Sequence, residues 1–71
     1  MAVSYNKLWK LLIDNNMNKT QLRKKSGIST VALAKLGKNE NVNTEVLVKI
    51  CSVLHCNISD IMDVTETEAI N

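Results

Sequence analysis

An all-α domain of five short helices is what this sequence predicts, and three observations predict it. Apolar residues recur at three- and four-residue intervals throughout, and no stretch alternates with period two for long. Proline is absent and only two glycines occur among 71 residues, which excludes collagen-like, linker-like and turn-rich β-sandwich chains. Hydrophobic residues make up 45% of the chain, yet aromatics are only 3% and phenylalanine is missing. The core is therefore aliphatic, and the length suits one small domain.

Each helix has its own start and stop. Ser4 is placed to cap a first helix running to about Asn15, with Tyr5, Leu8, Trp9, Leu12 and Ile13 as its buried stripe. Asn15-Asn16 ends it, because Asn competes with helical hydrogen bonds and tolerates left-handed geometry. Asn18 caps a second helix, and Gln21 at the third helical position completes a capping box. Leu22 faces inward, and Gly27 after Ser26 supplies the left-handed terminal residue. Ser29 caps a third helix, Thr30 to about Leu36, which Gly37 ends. Only Ile28 separates Gly27 from that cap, so the two helices meet at a steep angle.

Residues 37–43 form the longest loop. Asn43 then caps a fourth helix, with Glu45 in its first turn, where an acid suits the helix dipole. Val46, Leu47, Ile50, Cys51, Val53 and Leu54 make its apolar face. Asn57 and Asp60 form a second capping box, opening a last short helix through Ile61 and Met62. The domain spans residues 1–64, and the acidic stretch 65–71 is expected to be a disordered tail.

Charge is divided along the chain. Residues 1–38 hold eight basic residues against the single acid Asp14, a net +7, whereas residues 39–71 hold Lys49 against six acids, a net −5. A basic half of this kind suits a polyanionic partner. No run approaches the roughly 18 apolar residues of a membrane span, and the N-terminus lacks a signal-peptide core. The expected location is cytoplasmic.

A helix, a short turn containing Gly and a second helix make the helix-turn-helix signature. The stretch NKTQLRKKSGISTVALAKLGKNENVNTEVLVKICSVLHCNISDIM resembles the Cro/repressor (Xre-type) helix-turn-helix family. Leu22, Ser26-Gly27-Ile28-Ser29, Leu33, Leu36, Leu47, Ile50 and Leu54 fall in register with it, and the resemblance covers about residues 5–63. It implies a compact five-helix, lambda-repressor-like fold with residues 30–36 as the recognition helix. It also implies phosphate contacts from the start of the second helix (Asn18, Lys19, Gln21), from Ser29, and from the loop after the third (Lys38, Asn39, Asn41).

Helical geometry agrees with that assignment. At 100° per residue, Leu33 and Leu36 share one side of the third helix, with Val31, Ala34 and Lys35 opposite. Thr30 can hydrogen-bond a base edge, Val31 can touch a thymine methyl, and Lys35 can reach guanine or a phosphate. Lys19 in a first turn opposes the helix dipole, a small cost that fits a phosphate docking there. Two features depart from the family. Arg23 stands where most members place Ala, and the groove-facing surface lacks Gln, Asn or Arg, so discrimination is either modest or leans on DNA shape.

Other chemistry is thinly represented. Cys51 and His55 stand four residues apart, a spacing open to metal ligands, but His55 is the only histidine and a tetrahedral site needs more donors. Cys51 lies on the apolar arc, so Cys51 and Cys56 read as core thiols; a cytosolic setting disfavours a disulfide. No phosphate-binding Gly loop, nucleophile elbow or paired carboxylates occur. The expected protein is thus a non-enzymatic transcriptional regulator, a repressor, that binds a double-stranded operator without metal, cofactor or small-molecule ligand. A homodimer is expected, joined through Ile58, Ile61, Met62 and Val64. An antitoxin-like protein-interaction module of the same fold is the alternative, and a thiol or metal sensor is a more distant one.

Overall fold

The computed structural model describes residues 2–65. Four α-helices carry the fold: α1 (Asn6–Asp14), α2 (Lys19–Ser26), α3 (Thr30–Gly37) and α4 (Thr44–Leu54). A single 3-10 turn, Ile58–Asp60, stands where the capping pattern predicts a fifth helix. Two strands complete the order, β1 (Ala2–Ser4) and β2 (Asp63–Thr65). They pair antiparallel, Ala2 opposite Thr65, Val3 opposite Val64 and Ser4 opposite Asp63.

The strand pair corrects two expectations. Ser4 belongs to β1 rather than capping α1; Tyr5 takes the cap position with no side-chain bond. Thr65 belongs to β2 rather than to a tail, while the rest of the expected tail, residues 66–71, lies outside the described residues. Three-residue strands are too short for a period of two to register, and their partners are some sixty positions apart in sequence. Nearby, the Lys7 ammonium pairs with Asp63 at 3.0 Å and donates to the Ser59 carbonyl at 3.2 Å. Half-exposed ion pairs of this kind contribute about 0.2–1 kcal/mol.

Helix ends follow their local chemistry closely. The Asn18 side chain accepts from the Gln21 N–H at 2.8 Å while the Gln21 side chain accepts from the Asn18 N–H at 3.0 Å, a complete capping box. Ser29 accepts from the Ala32 N–H at 3.0 Å and Asn43 from the Val46 N–H at 3.1 Å. Gly27 ends α2 at φ 77 and Asn16 follows α1 at φ 54, both left-handed. Gly37 behaves otherwise: it is the last residue of α3, and the left-handed turn falls on Asn39 at φ 56.

The core gathers Tyr5, Leu8 and Leu12 of the first segment with Leu22, Ile28, Ala32, Leu36, Leu47, Ile50 and Ile61. α2 lies at its centre, packed on both α3 and α4. Each fully buried aliphatic side chain contributes roughly 1.5–3 kcal/mol. Ile13 leaves the expected stripe and is 73% exposed. On α3 the buried arc is turned by one residue, with Ala32 and Leu36 inside and Leu33 only half-buried. Ile61 is fully buried, which removes it from any dimer surface; the 3-10 turn folds it back onto the helices. Cys51 and Cys56 are half-buried against the core rather than within it. Arg23 is half-buried, and α2 packs against α3 nonetheless. Among the described residues, no helix is long and apolar enough to cross a membrane.

Candidate nucleic-acid interface

Three consecutive residues set the angle between α2 and α3. The Ser26 hydroxyl donates to the Leu22 carbonyl at 2.6 Å, closing α2. Gly27 reverses the chain at a φ that a side chain would strain. Ile28 is buried and anchors the turn to the core. Ser29 can then start α3 without a connecting loop.

This anchoring leaves one side of α3 facing solvent. Thr30, Val31, Ala34 and Lys35 are all exposed, with Val31 at 65%. Val31 is a β-branched apolar residue left in solvent in the first turn of α3. Its methyl groups suit contact with a thymine methyl in a major groove. A shallow cavity of about 170 Å³ borders this face, joining Val31 and Lys35 to Val42 and Asn43 at the start of α4. Sequence alone does not mark Val42 and Asn43 as part of this surface, because only folding brings the end of the 37–43 loop beside α3.

The candidate phosphate contacts divide by how they are held. Asn18 and Gln21 each use a carbonyl oxygen in the capping box, which leaves their NH₂ groups as donors at a helix N-terminus. Ser29 likewise accepts a backbone bond and keeps its hydroxyl proton to donate. The Lys19 ammonium sits over the Trp9 ring, 4.6 Å from its centroid. That contact contributes about 0.5–1 kcal/mol at an exposed site and offsets the unfavourable dipole position. Lys19 therefore has a partner within the fold, and it remains exposed beside the cap.

Lys38, Asn39 and Asn41 follow α3 on the exposed loop. Asn39 is also tied into the fold, since its side-chain oxygen accepts the Tyr5 N–H at 3.0 Å. The Tyr5 hydroxyl donates to the Glu40 carbonyl at 2.8 Å. Tyr5 thus holds the loop at two consecutive residues, a role that the helical periodicity around it does not signal. Burial pushes the Tyr5 hydroxyl above its ordinary value, outweighing the lowering effect of a backbone hydrogen bond at Val42. It stays a neutral donor at physiological pH.

A helix N-terminus rich in donors, a second helix with one face exposed and a loop braced by Tyr5 lie together in a helix-turn-helix arrangement. Residues 7–66 match the Cro/C1-type helix-turn-helix DNA-binding domain, and the chain belongs to that family. Among solved structures it is similar to the crystal structure of transcriptional regulator VanUg, form II. The two are 56% identical, the likeness covers 87% of this chain and 83% of that one, and the TM-score is 0.85. No curated protein matches the chain.

Proposed function

We propose that this protein is a transcriptional regulator that occupies a double-stranded DNA operator as a homodimer and acts as a repressor. The exposed face of α3 carries this reading: Thr30, Val31, Ala34 and Lys35 are displayed together on a helix whose other side is anchored in the core. Thr30 and Val31 read base edges, and Lys35 reaches a guanine or a phosphate. Asn18, Lys19, Gln21, Ser29, Lys38, Asn39 and Asn41 set the register by contacting the backbone. Family membership and the likeness to a transcriptional regulator support the same reading. The protein needs no cofactor for this role.

Dimerisation follows from reach, since one short helix contacts too few base pairs for useful selectivity in a genome. Val64 on β2 is 63% exposed, and Ile58 and Met62 also reach the surface. These three form the proposed contact, without the buried Ile61.

Salt dependence tests the function directly. A dimer that neutralises on the order of six phosphates gives log K against log salt a slope near −5, at about −0.9 per phosphate. Fluorescence anisotropy with a labelled duplex, read across salt concentrations, should return that slope. A flat profile, or no duplex binding at low salt, overturns the proposal.

A further inference from the structure

Two thiols at the end of α4 belong neither to the closed core nor to the DNA-facing surface. Cys51 lies in the last turn of α4 and Cys56 just beyond it, both unpaired and half-buried. Between them His55 adopts φ 54, a left-handed conformation that wraps the chain back over the helix end. The Cys56 N–H consequently donates to the Cys51 carbonyl at 3.2 Å. The wrap makes the two residues neighbours across the turn, and a disulfide between them needs their Cα atoms roughly 4.4–6.8 Å apart. Both side chains also line one open cavity of about 540 Å³, with His55 and Asp60 on its walls. That cavity opens to solvent beside both residues. Among the described residues no group of three or more His, Cys, Asp or Glu is placed to hold an ion.

We propose that Cys51 and Cys56 form a reversible dithiol–disulfide couple that is oxidised by peroxides. The Cys51 thiolate attacks one peroxide oxygen and the O–O bond breaks, giving a sulfenic acid and hydroxide. The Cys56 sulfur then attacks the Cys51 sulfur and the S–O bond breaks. Water leaves with the Cys56 proton, and the proton first lost by Cys51 neutralises the hydroxide. Two thiols and one hydrogen peroxide thus become one disulfide and two waters. Burial, reinforced by the neighbouring Cys51, pushes the Cys56 thiol up to about 11; the disulfide formed is the same whichever sulfur is oxidised first. An external thiol restores the pair by exchange. Few residues lie between the sulfurs, so the bond constrains little of the unfolded chain and is a modification rather than a staple.

The test is independent of DNA binding. The reduced 71-residue chain, dilute and folded, is treated with hydrogen peroxide, then denatured for thiol titration and intact mass. The expected product lacks both free thiols, is lighter by two hydrogens, forms at a rate independent of protein concentration and reverts with dithiothreitol. Peptide mapping of the wild-type product should link residue 51 to residue 56, whether or not substituted variants fold. Cys51→Ser and Cys56→Ser should each abolish the two-hydrogen loss. Two surviving free thiols, oxygen added to both cysteines without a link, or links formed only between chains would each overturn the proposal.

Discussion

Tyr5 is 1% exposed, and both its polar groups are engaged by the loop after α3. It joins the end of β1 and the start of α1 to the backbone that presents Lys38 and Asn41. Removing only its hydroxyl, by Tyr5→Phe, should cost about 0.5–1.5 kcal/mol, the ordinary net value of a hydrogen bond. Its titration has a definite sign. The folded value lies above the ordinary 10.0, so between the two values the folded chain binds more protons than the unfolded one. Stability contributed by the neutral phenol is therefore present below pH 10 and lost as pH rises toward the folded value. As this is the only tyrosine, phenolate absorbance reads it directly. The midpoint should lie above 10 in the folded protein and return to about 10 in denaturant. Coincident midpoints would show that Tyr5 is solvated.

The helix ends invite an exchange of residues. Gly37 is helical, without positive φ, and a Cβ there would meet nothing within 4 Å. Gly37→Ala should therefore stabilise the protein by about 0.5–1 kcal/mol. His55, by contrast, bears a side chain at φ 54, and His55→Gly should relieve about 1 kcal/mol of backbone strain. Thermal denaturation checks both, and a fall in Tm for either contradicts the assigned backbone. The Asn18–Gln21 capping box and the Ser29 and Asn43 caps were legible in sequence because their bonds close within three residues; the Ser4 cap was not, because Ser4 is drawn into β1. That the left-handed residue after α3 is Asn39 rather than Gly37 was not legible, since the 35–40 turn depends on Tyr5 from outside.

The proposed base-reading and backbone-anchoring residues fall on separate parts of the helix-turn-helix element. Thr30→Ala or Val31→Ala should alter preference at one or two base pairs per half-site, costing roughly 1–3 kcal/mol against the best sequence. Lys38→Ala should weaken all duplexes alike and lower the salt slope by about one. Selection from a random duplex pool, repeated with each variant, makes the comparison. An unchanged selected sequence with the first two variants, and a changed one with Lys38→Ala, would mean that α3 is not the reader. Leu36→Ala, at a fully buried position, is the folding control and should cost about 2–5 kcal/mol. The sequence placed Leu36 inside but also Leu33, which is half-buried; a helical wheel has no means of ranking two residues flanking the same arc.

At the scale of the whole molecule, the β1–β2 pair joins the two ends of the described chain and places Val64 on the surface while Ile61 closes the core. Val64→Lys should therefore weaken the proposed dimer and leave the monomer folded. Ile61→Ala should instead destabilise the fold by about 2–5 kcal/mol. Sedimentation of the complex should show two chains per specific duplex, with half-sites about 34 Å apart. One chain per site, with no palindrome selected, would rule out the dimer.

Local chemistry, read from sequence alone, determined the four α-helices, three of their caps, the Gly27 reversal and the solvent-facing set Thr30, Val31, Ala34 and Lys35. Each depends on residues within one or two turns of one another, so spacing and side-chain type suffice. Tertiary structure alone decided what depends on distant partners. Tyr5 became a brace for the 39–40 backbone, Ser4 a strand residue and Ile61 a core residue, and Lys19 gained Trp9 beneath it. Each of these contacts joins positions ten or more residues apart. Helical periodicity carries no record of such pairs, because they form only when burial of the aliphatic core brings the elements together.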